Sequence, residues 1–242
     1  MPANNCNMKK YALPVALTVG ACGLGYIAYK KYVAAHEKKE EKPVQEPVKP
    51  NIIFLLGGPG SGKGTQSKIL ETKYKWIPIS AGDCLREEQQ TQSKDADLIR
   101  EYIREGKIVP GHITINLLWK KIQSNVNNGH PNMIIDGFPR SMENLNDWNE
   151  IVGDKANLLF ILLLECSDEV MTERVMSRSR ASGREDDNPE ALIKRFKTHH
   201  ETSLPVIELF RAKNMVRQIN ADQTIEQVSG DIQKIFDEEV HC

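Results

Sequence analysis

Residues 57–65 read Gly57-Gly58-Pro59-Gly60-Ser61-Gly62-Lys63-Gly64-Thr65, with five glycines around one lysine. Without a Cβ the chain can turn its backbone N–H groups inward, and successive inward N–H groups form a cradle for phosphate oxygens. Lys63 would then reach the β and γ phosphates of a bound nucleoside triphosphate, with Gly60, Ser61, Gly62, Gly64 and Thr65 around the phosphate chain. The motif usually carries Ser or Thr directly after its lysine; here Gly64 stands there and Thr65 follows one place later. That departure points to a subclass.

Such a loop works only between a buried strand and a helix, and the flanking sequence supplies both. The apolar run Ile52 to Leu56 ends directly at Gly57, and Ser67 to Glu71 continues beyond Lys63 with helical character. The helix N-terminus adds its dipole to the cradle. Further short apolar runs lie at Ile77–Ile79, Met133–Ile135, Leu158–Leu164 and Met215–Ile219, with helical stretches between them. Five short buried strands separated by helices predict an α/β fold with a parallel five-stranded sheet flanked by helices. No internal repeat is visible.

The bulk numbers narrow the function. With 32 basic and 33 acidic residues among 242, the net charge of −1 gives no global attraction to nucleic acid, so any anion site must be built locally. The five cysteines are odd in number and lack C-x-x-C spacing, which predicts reduced thiols; Cys84 and Cys166 are expected to be small buried apolar residues. His199 and His200 are adjacent, so on a helix they diverge by about 100° and cannot form an i, i+4 metal pair. Both are expected at the surface. No N-K-x-D base-reading motif is present, which counts against a GTPase.

The chain divides into a tail (1–10), a candidate single transmembrane helix (11–31), a linker (32–50) and a catalytic domain (51–242). Tyr11 to Tyr29 contains no charge and is bracketed by Lys9-Lys10 and Lys30-Lys31, about the minimum span of a bilayer core. A cleaved secretory signal is the rival reading. More lysines follow the segment than precede it, which favours a cytosolic catalytic domain by the positive-inside rule. The first arginine is Arg86, which counts against a matrix presequence; an organelle surface such as the mitochondrial outer membrane is expected, with other membranes open. The linker is charged and punctuated by Pro43, Pro47 and Pro50, the composition of a solvated spacer.

Taken with Asp136-Gly137-Phe138-Pro139-Arg140, the glycine loop through Gln66 resembles the adenylate kinase and UMP/CMP kinase family, over about Asn51 to Val240. The resemblance implies a P-loop kinase with a monophosphate-binding insert at 80–109 and a short lid at 177–187, acting as a monomer on ATP, Mg2+ and a nucleoside monophosphate. It implies that Arg86 and Arg140 hold the monophosphate, that Arg178, Arg184 and Arg195 close over the reacting phosphates, and that Arg174 stacks on adenine with Gln223 nearby. It also implies that Asp136 positions magnesium through water and that Ala81, Lys107, Ile108, Val109, Gly137, Phe138 and Pro139 line the monophosphate pocket. Forked guanidinium groups suit this work, because phosphoryl transfer needs alignment and charge neutralisation more than covalent help.

Two positions bear on the acceptor base. Ala81 in Ser80-Ala81-Gly82-Asp83 and Asn144, four residues after Arg140, follow the pattern of UMP/CMP kinases, where adenylate kinases carry Thr and Gln. An Asn amide that flips could meet either uracil or cytosine. A short-lid adenylate kinase altered at these two positions, and an inactive nucleotide-binding scaffold, are the alternatives.

Overall fold

The computed structural model describes residues 48–182 and 186–240, with backbone alone at 181 and 182. The expected anchor at 11–31 and most of the linker lie outside these residues. Among the described residues, no helix is long and apolar enough to cross a membrane.

The five apolar runs form the five strands β1 (Asn51–Leu56), β2 (Ile77–Ser80), β3 (Asn132–Asp136), β4 (Asn157–Glu165) and β5 (Val216–Asn220). They lie in the order β2-β3-β1-β4-β5, and every neighbouring pair is parallel. Strand ends differ from the apolar runs because polar residues extend them. Asn51 Nδ2 donates to Asn132 Oδ1 (2.9 Å) and Asn157 Nδ2 donates to Asn51 Oδ1 (3.2 Å), so three asparagines bridge the first rung of the central strands. Hydropathy alone does not see such a rung.

Central β1 has apolar side chains on both faces because helices cover both. Ile52, Phe54 and Leu56 belong to one core cluster, and Ile53 and Leu55 to the other. Burying each such side chain stabilises the fold by about 1.5–3 kcal/mol at most. On the first side Phe54, Phe138 and Trp148 pack with ring centroids 5.2–5.8 Å apart. On the second, Phe236 meets Trp76 edge-on at 5.7 Å.

The helices are α1 (Lys63–Tyr74), α2 (Ala81–Glu88), α3 (Ala96–Glu105), α4 (Gly111–Asn127), α5 (Met142–Ile151), α6 (Asp168–Ser182), α7 (Pro189–Thr198), α8 (Leu204–Arg211) and α9 (Ile225–Glu239). A π-helical turn, His199–Ser203, joins α7 to α8. Several starts are capped by short polar side chains: Ser141 Oγ accepts from Asn144 N (3.1 Å), and Asn188 Oδ1 accepts from Ala191 N (2.9 Å). Helices α2 and α3 form the expected insert and share a small core of Leu85, Ile99, Val109 and Ile113. Because all strands run the same way, their carboxyl ends meet at one edge, where a cleft opens beside the glycine loop.

Candidate active site

The glycine loop leaves β1 at Leu56 and enters α1 at Lys63. Gly60 (φ 87°) and Gly62 (φ 97°) take left-handed conformations that residues with a Cβ rarely adopt, and a Cβ on Gly60 would press on the Met171 carbonyl oxygen at 2.6 Å. Lys63 Nζ donates to the carbonyls of Gly57 (2.9 Å) and Gly58 (2.8 Å) and lies 3.3 Å from Ser61 Oγ. Burial pushes its ammonium down to about 8; Asp136 opposes this, while Arg140, Arg195 and Arg178 add to it. The site thus gathers Lys63, Arg140, Arg178 and Arg195, with Asp136, Asp186 and Asp187 offsetting part of their charge.

A cavity of about 800 Å³ runs from the loop in both directions. At one end it reaches Arg174, Ala221, Gln223 and Ile225; at the other, Ala81, Arg86, Val109 and Asn144. Lys63, Asp136 and Arg140 lie between, so the cavity fits two nucleotides meeting at their phosphates.

The donor end is built by α6. Arg174 donates through Nη1 to the Ala221 carbonyl (2.9 Å) and through Nη2 to that of Gln223 (3.1 Å), which fixes its guanidinium beside the cavity. Gln66, on α1, donates to the Ile225 carbonyl (3.1 Å) and holds the same loop from the opposite side. Met171, Arg174, Val175 and Arg178 fall at i, i+3, i+4 and i+7, one stripe of the helix. Met171 and Val175 wall the glycine loop at Gly58 and Gly60, so this stripe joins the loop to the guanidinium groups of Arg174 and Arg178.

Cys166 is not the small buried apolar residue expected. It is only partly buried, and its thiol donates to Asp222 Oδ1 (3.0 Å), which also accepts from Ser167 N (2.9 Å). Burial, with the hydrogen bond to Asp222, pushes the thiol up to about 12.

At the lid, Arg178 donates twice to Asp187, and Arg195 pairs with Asp186 (3.0 Å) and Asp187 (3.4 Å). Both aspartates are buried. Sequence reasoning assigned them no role, although two acids beside an arginine-rich stretch were a visible signal. Arg184 lies outside the described residues.

At the acceptor end, Arg140 Nε donates to the Gly137 carbonyl (2.7 Å), and Arg140 N donates to Asn144 Oδ1 (3.2 Å). Arg86 is paired with Asp83 at 2.5 Å. Lys107 pairs outward with Glu105 (2.6 Å), so this stretch faces the pocket through Ile108, Val109 and its backbone. Phe138 is buried in the core, where its ring anchors the Gly137–Arg140 turn; Pro139 faces a smaller cavity behind the loop.

Thr65 is exposed at the start of α1 and lines the donor side. A Cβ on Gly64 would meet nothing within 4 Å, so no steric demand explains that glycine. His199, expected at the surface, instead turns inward against Gly58, while His200 faces out.

The sequence matches the family described as adenylate kinase over residues 55–215. The UMP-CMP kinase of Rattus norvegicus is 43% identical over 195 residues, covering 79% of this chain and the whole of that protein. Those of Homo sapiens and Danio rerio are each 42% identical over the same spans. The chain belongs to the adenylate kinase family. It is an ATP-dependent nucleoside monophosphate kinase.

Proposed function

We propose that this kinase transfers the γ-phosphoryl group of ATP to UMP or CMP, giving UDP or CDP and ADP. The observation that carries the acceptor reading is Asn144, which is 2% exposed in the acceptor recess. Its Oδ1 is taken by Arg140 N, while its Nδ2 has no hydrogen-bond partner among the described residues. That bond fixes the amide, so the flipping expected from sequence is not needed: the fixed donor suits a base presenting an acceptor, as both uracil (O4) and cytosine (N3) do. Ala81 leaves the adjoining wall without a hydroxyl, and the similar UMP-CMP kinases support the same reading.

In the proposed reaction Lys63 holds the donor's terminal phosphates, Arg140 and Arg86 hold the acceptor phosphate, and Arg178 and Arg195 close over the transferred group. Asp136, at the end of β3 beside Lys63, is the residue that would hold Mg2+ through water. Among the described residues no three carboxylate, imidazole or thiol groups form a metal cluster. When bound, that ion neutralises charge on the β and γ oxygens.

Adenine N1 is also an acceptor, so a short-lid adenylate kinase is the competing reading. An acceptor panel with the full chain decides between them. CMP and UMP are expected to exceed AMP in kcat/KM by more than tenfold, and equal or better use of AMP would sink the pyrimidine assignment.

We also infer a tether. The charge-free stretch from Tyr11 to Tyr29 and the spacer after it support a kinase held at the cytosolic face of a membrane, such as the mitochondrial outer membrane. A reporter fused to residues 1–50 should decorate that membrane; a diffuse signal would refute the tether.

A further inference from the structure

The proposed phosphoryl-transfer scheme leaves one half-buried titratable group at the glycine loop unused, His199 at the start of the π-helical turn. A Cβ on Gly58 would stand 3.5 Å from His199 Cδ2, so the imidazole lies beside the loop at the residue whose carbonyl holds Lys63 Nζ. The neighbouring residues bind elsewhere. Thr198 Oγ1 donates to the Gly106 carbonyl (3.1 Å), on the acceptor-side segment, and Ser203 Oγ donates to the Arg140 carbonyl (3.0 Å). From outside, His200 Nε2 lies 3.3 Å from Asp168 Oδ2, at the first residue of α6. Within six residues, the chain therefore touches the donor loop, the acceptor segment and the acceptor arginine. These parts surround a cavity of about 70 Å³ behind the loop, lined by Lys63, Arg140, Arg195 and His199.

We propose that His199 is a positioning residue for phosphoryl transfer: through Gly58 its ring sets the spacing between the donor cradle and Arg140. The role is one of shape. The charged groups acting on the ring are Lys63 from α1, Arg140 from the turn after β3, His200 beside it and Asp168 from α6. Burial, with Lys63 next, pushes His199 down to about 4, so it is neutral where the enzyme works. A neutral ring wedged behind the loop adds no further positive charge to the centre. Misalignment of about 1 Å between reacting groups costs on the order of 100-fold in rate, so a spacer at this joint acts on turnover more than on either nucleotide's affinity. π-helical turns recur at functional sites, in keeping with this location.

The test is His199→Ala, His199→Phe and His199→Gln in the full chain, each assayed with ATP and with CMP, UMP and AMP in parallel. The wild-type panel reports on the acceptor reading, and the variants report on this one whichever acceptor is best. His199→Ala is expected to lower kcat 10- to 100-fold with both KM values within threefold of wild type. His199→Phe should recover at least a third of wild-type kcat, with an unchanged pH profile between pH 5.5 and 8, and His199→Gln should not. Retention of kcat within threefold in His199→Ala overturns the proposal, as does a loss confined to KM. Rescue by Gln but not Phe also overturns it, since that pattern belongs to a hydrogen bond rather than a shape. Should His199→Ala fail to fold, the contrast between Phe and Gln carries the test alone.

Discussion

Arg178 and Asp187 are joined by two parallel hydrogen bonds, Nε to Oδ2 at 2.8 Å and Nη2 to Oδ1 at 2.6 Å, with the Asp187 side chain fully buried. The pair ties the end of α6 to the approach to α7 and presents Arg178 to the phosphate site in a fixed orientation.

Replacing Asp187 by Asn removes the charge and leaves Arg178, whose side chain is 37% exposed, to be partly satisfied by water. The expected loss of stability is therefore about 1–2 kcal/mol, less than the 3–5 kcal/mol of a fully buried pair broken on one side. Thermal melting should register it, and kcat should fall roughly tenfold as Arg178 loses its alignment.

Lys63 makes nucleotide binding depend on pH. In the free enzyme its ammonium titrates at about 8, and bound phosphates raise that value by favouring the charged form. ATP binding should take up about one proton at pH 9 and almost none at pH 7, read by calorimetry in buffers of different ionisation enthalpy. Lys63→Met should abolish both the uptake and turnover while leaving the fold. Because the folded value lies below the ordinary 10.5, the free enzyme should also gain stability as pH rises from about 8 toward 10.5.

Asn144→Leu keeps the branched shape of Asn144, though bulkier, while deleting its amide donor and the acceptor of Arg140 N. A base left without that partner costs about 1–3 kcal/mol, so kcat/KM for CMP and UMP should drop about 10- to 100-fold with the KM for ATP unchanged. An equal loss on the ATP side would place Asn144 outside the acceptor site.

Gly58→Ala pushes a methyl group into Met171 Sδ, within a side chain that is 2% exposed. Overpacking of this kind costs about 1–3 kcal/mol and should displace the loop. Met171→Ala in the same chain makes room for the methyl, so the double variant should turn over faster than Gly58→Ala alone. Independent, additive losses would show that Met171 is not the wall.

The sheet and the glycine loop were legible because both are written in local pattern: apolar runs of strand length, and glycines between a strand and a helix. Asn51, Asn132 and Asn157 were missed as strand residues because their cross-strand hydrogen bonds have no signature in hydropathy. The arginines stood out by type; Asp186 and Asp187 lay in view beside them, but which arginine each acid pairs with is set only by the fold. His199 is the instructive miss. Adjacent residues on a helix point about 100° apart, so His200 at the surface already implied that His199 turns away from it. Leu192, Arg195 and His199 continue one inward stripe at i, i+3 and i+7. Asn144 was found by position, yet the orientation of its amide rests on Arg140 N, a partner that only the folded turn supplies.

Helix α6 is a ruler as well as a wall. Its 15 residues span about 22 Å, and Met171, Arg174, Val175 and Arg178 share one face only while their spacing holds. One residue inserted between Val175 and Arg178 would leave the glycine loop supported but swing Arg178 by about 100°, out of reach of Asp187 and the phosphates. Among family members, changes in lid length should therefore begin beyond Arg178, whereas the interval from Met171 to Arg178 should keep its count of residues even where their identities drift.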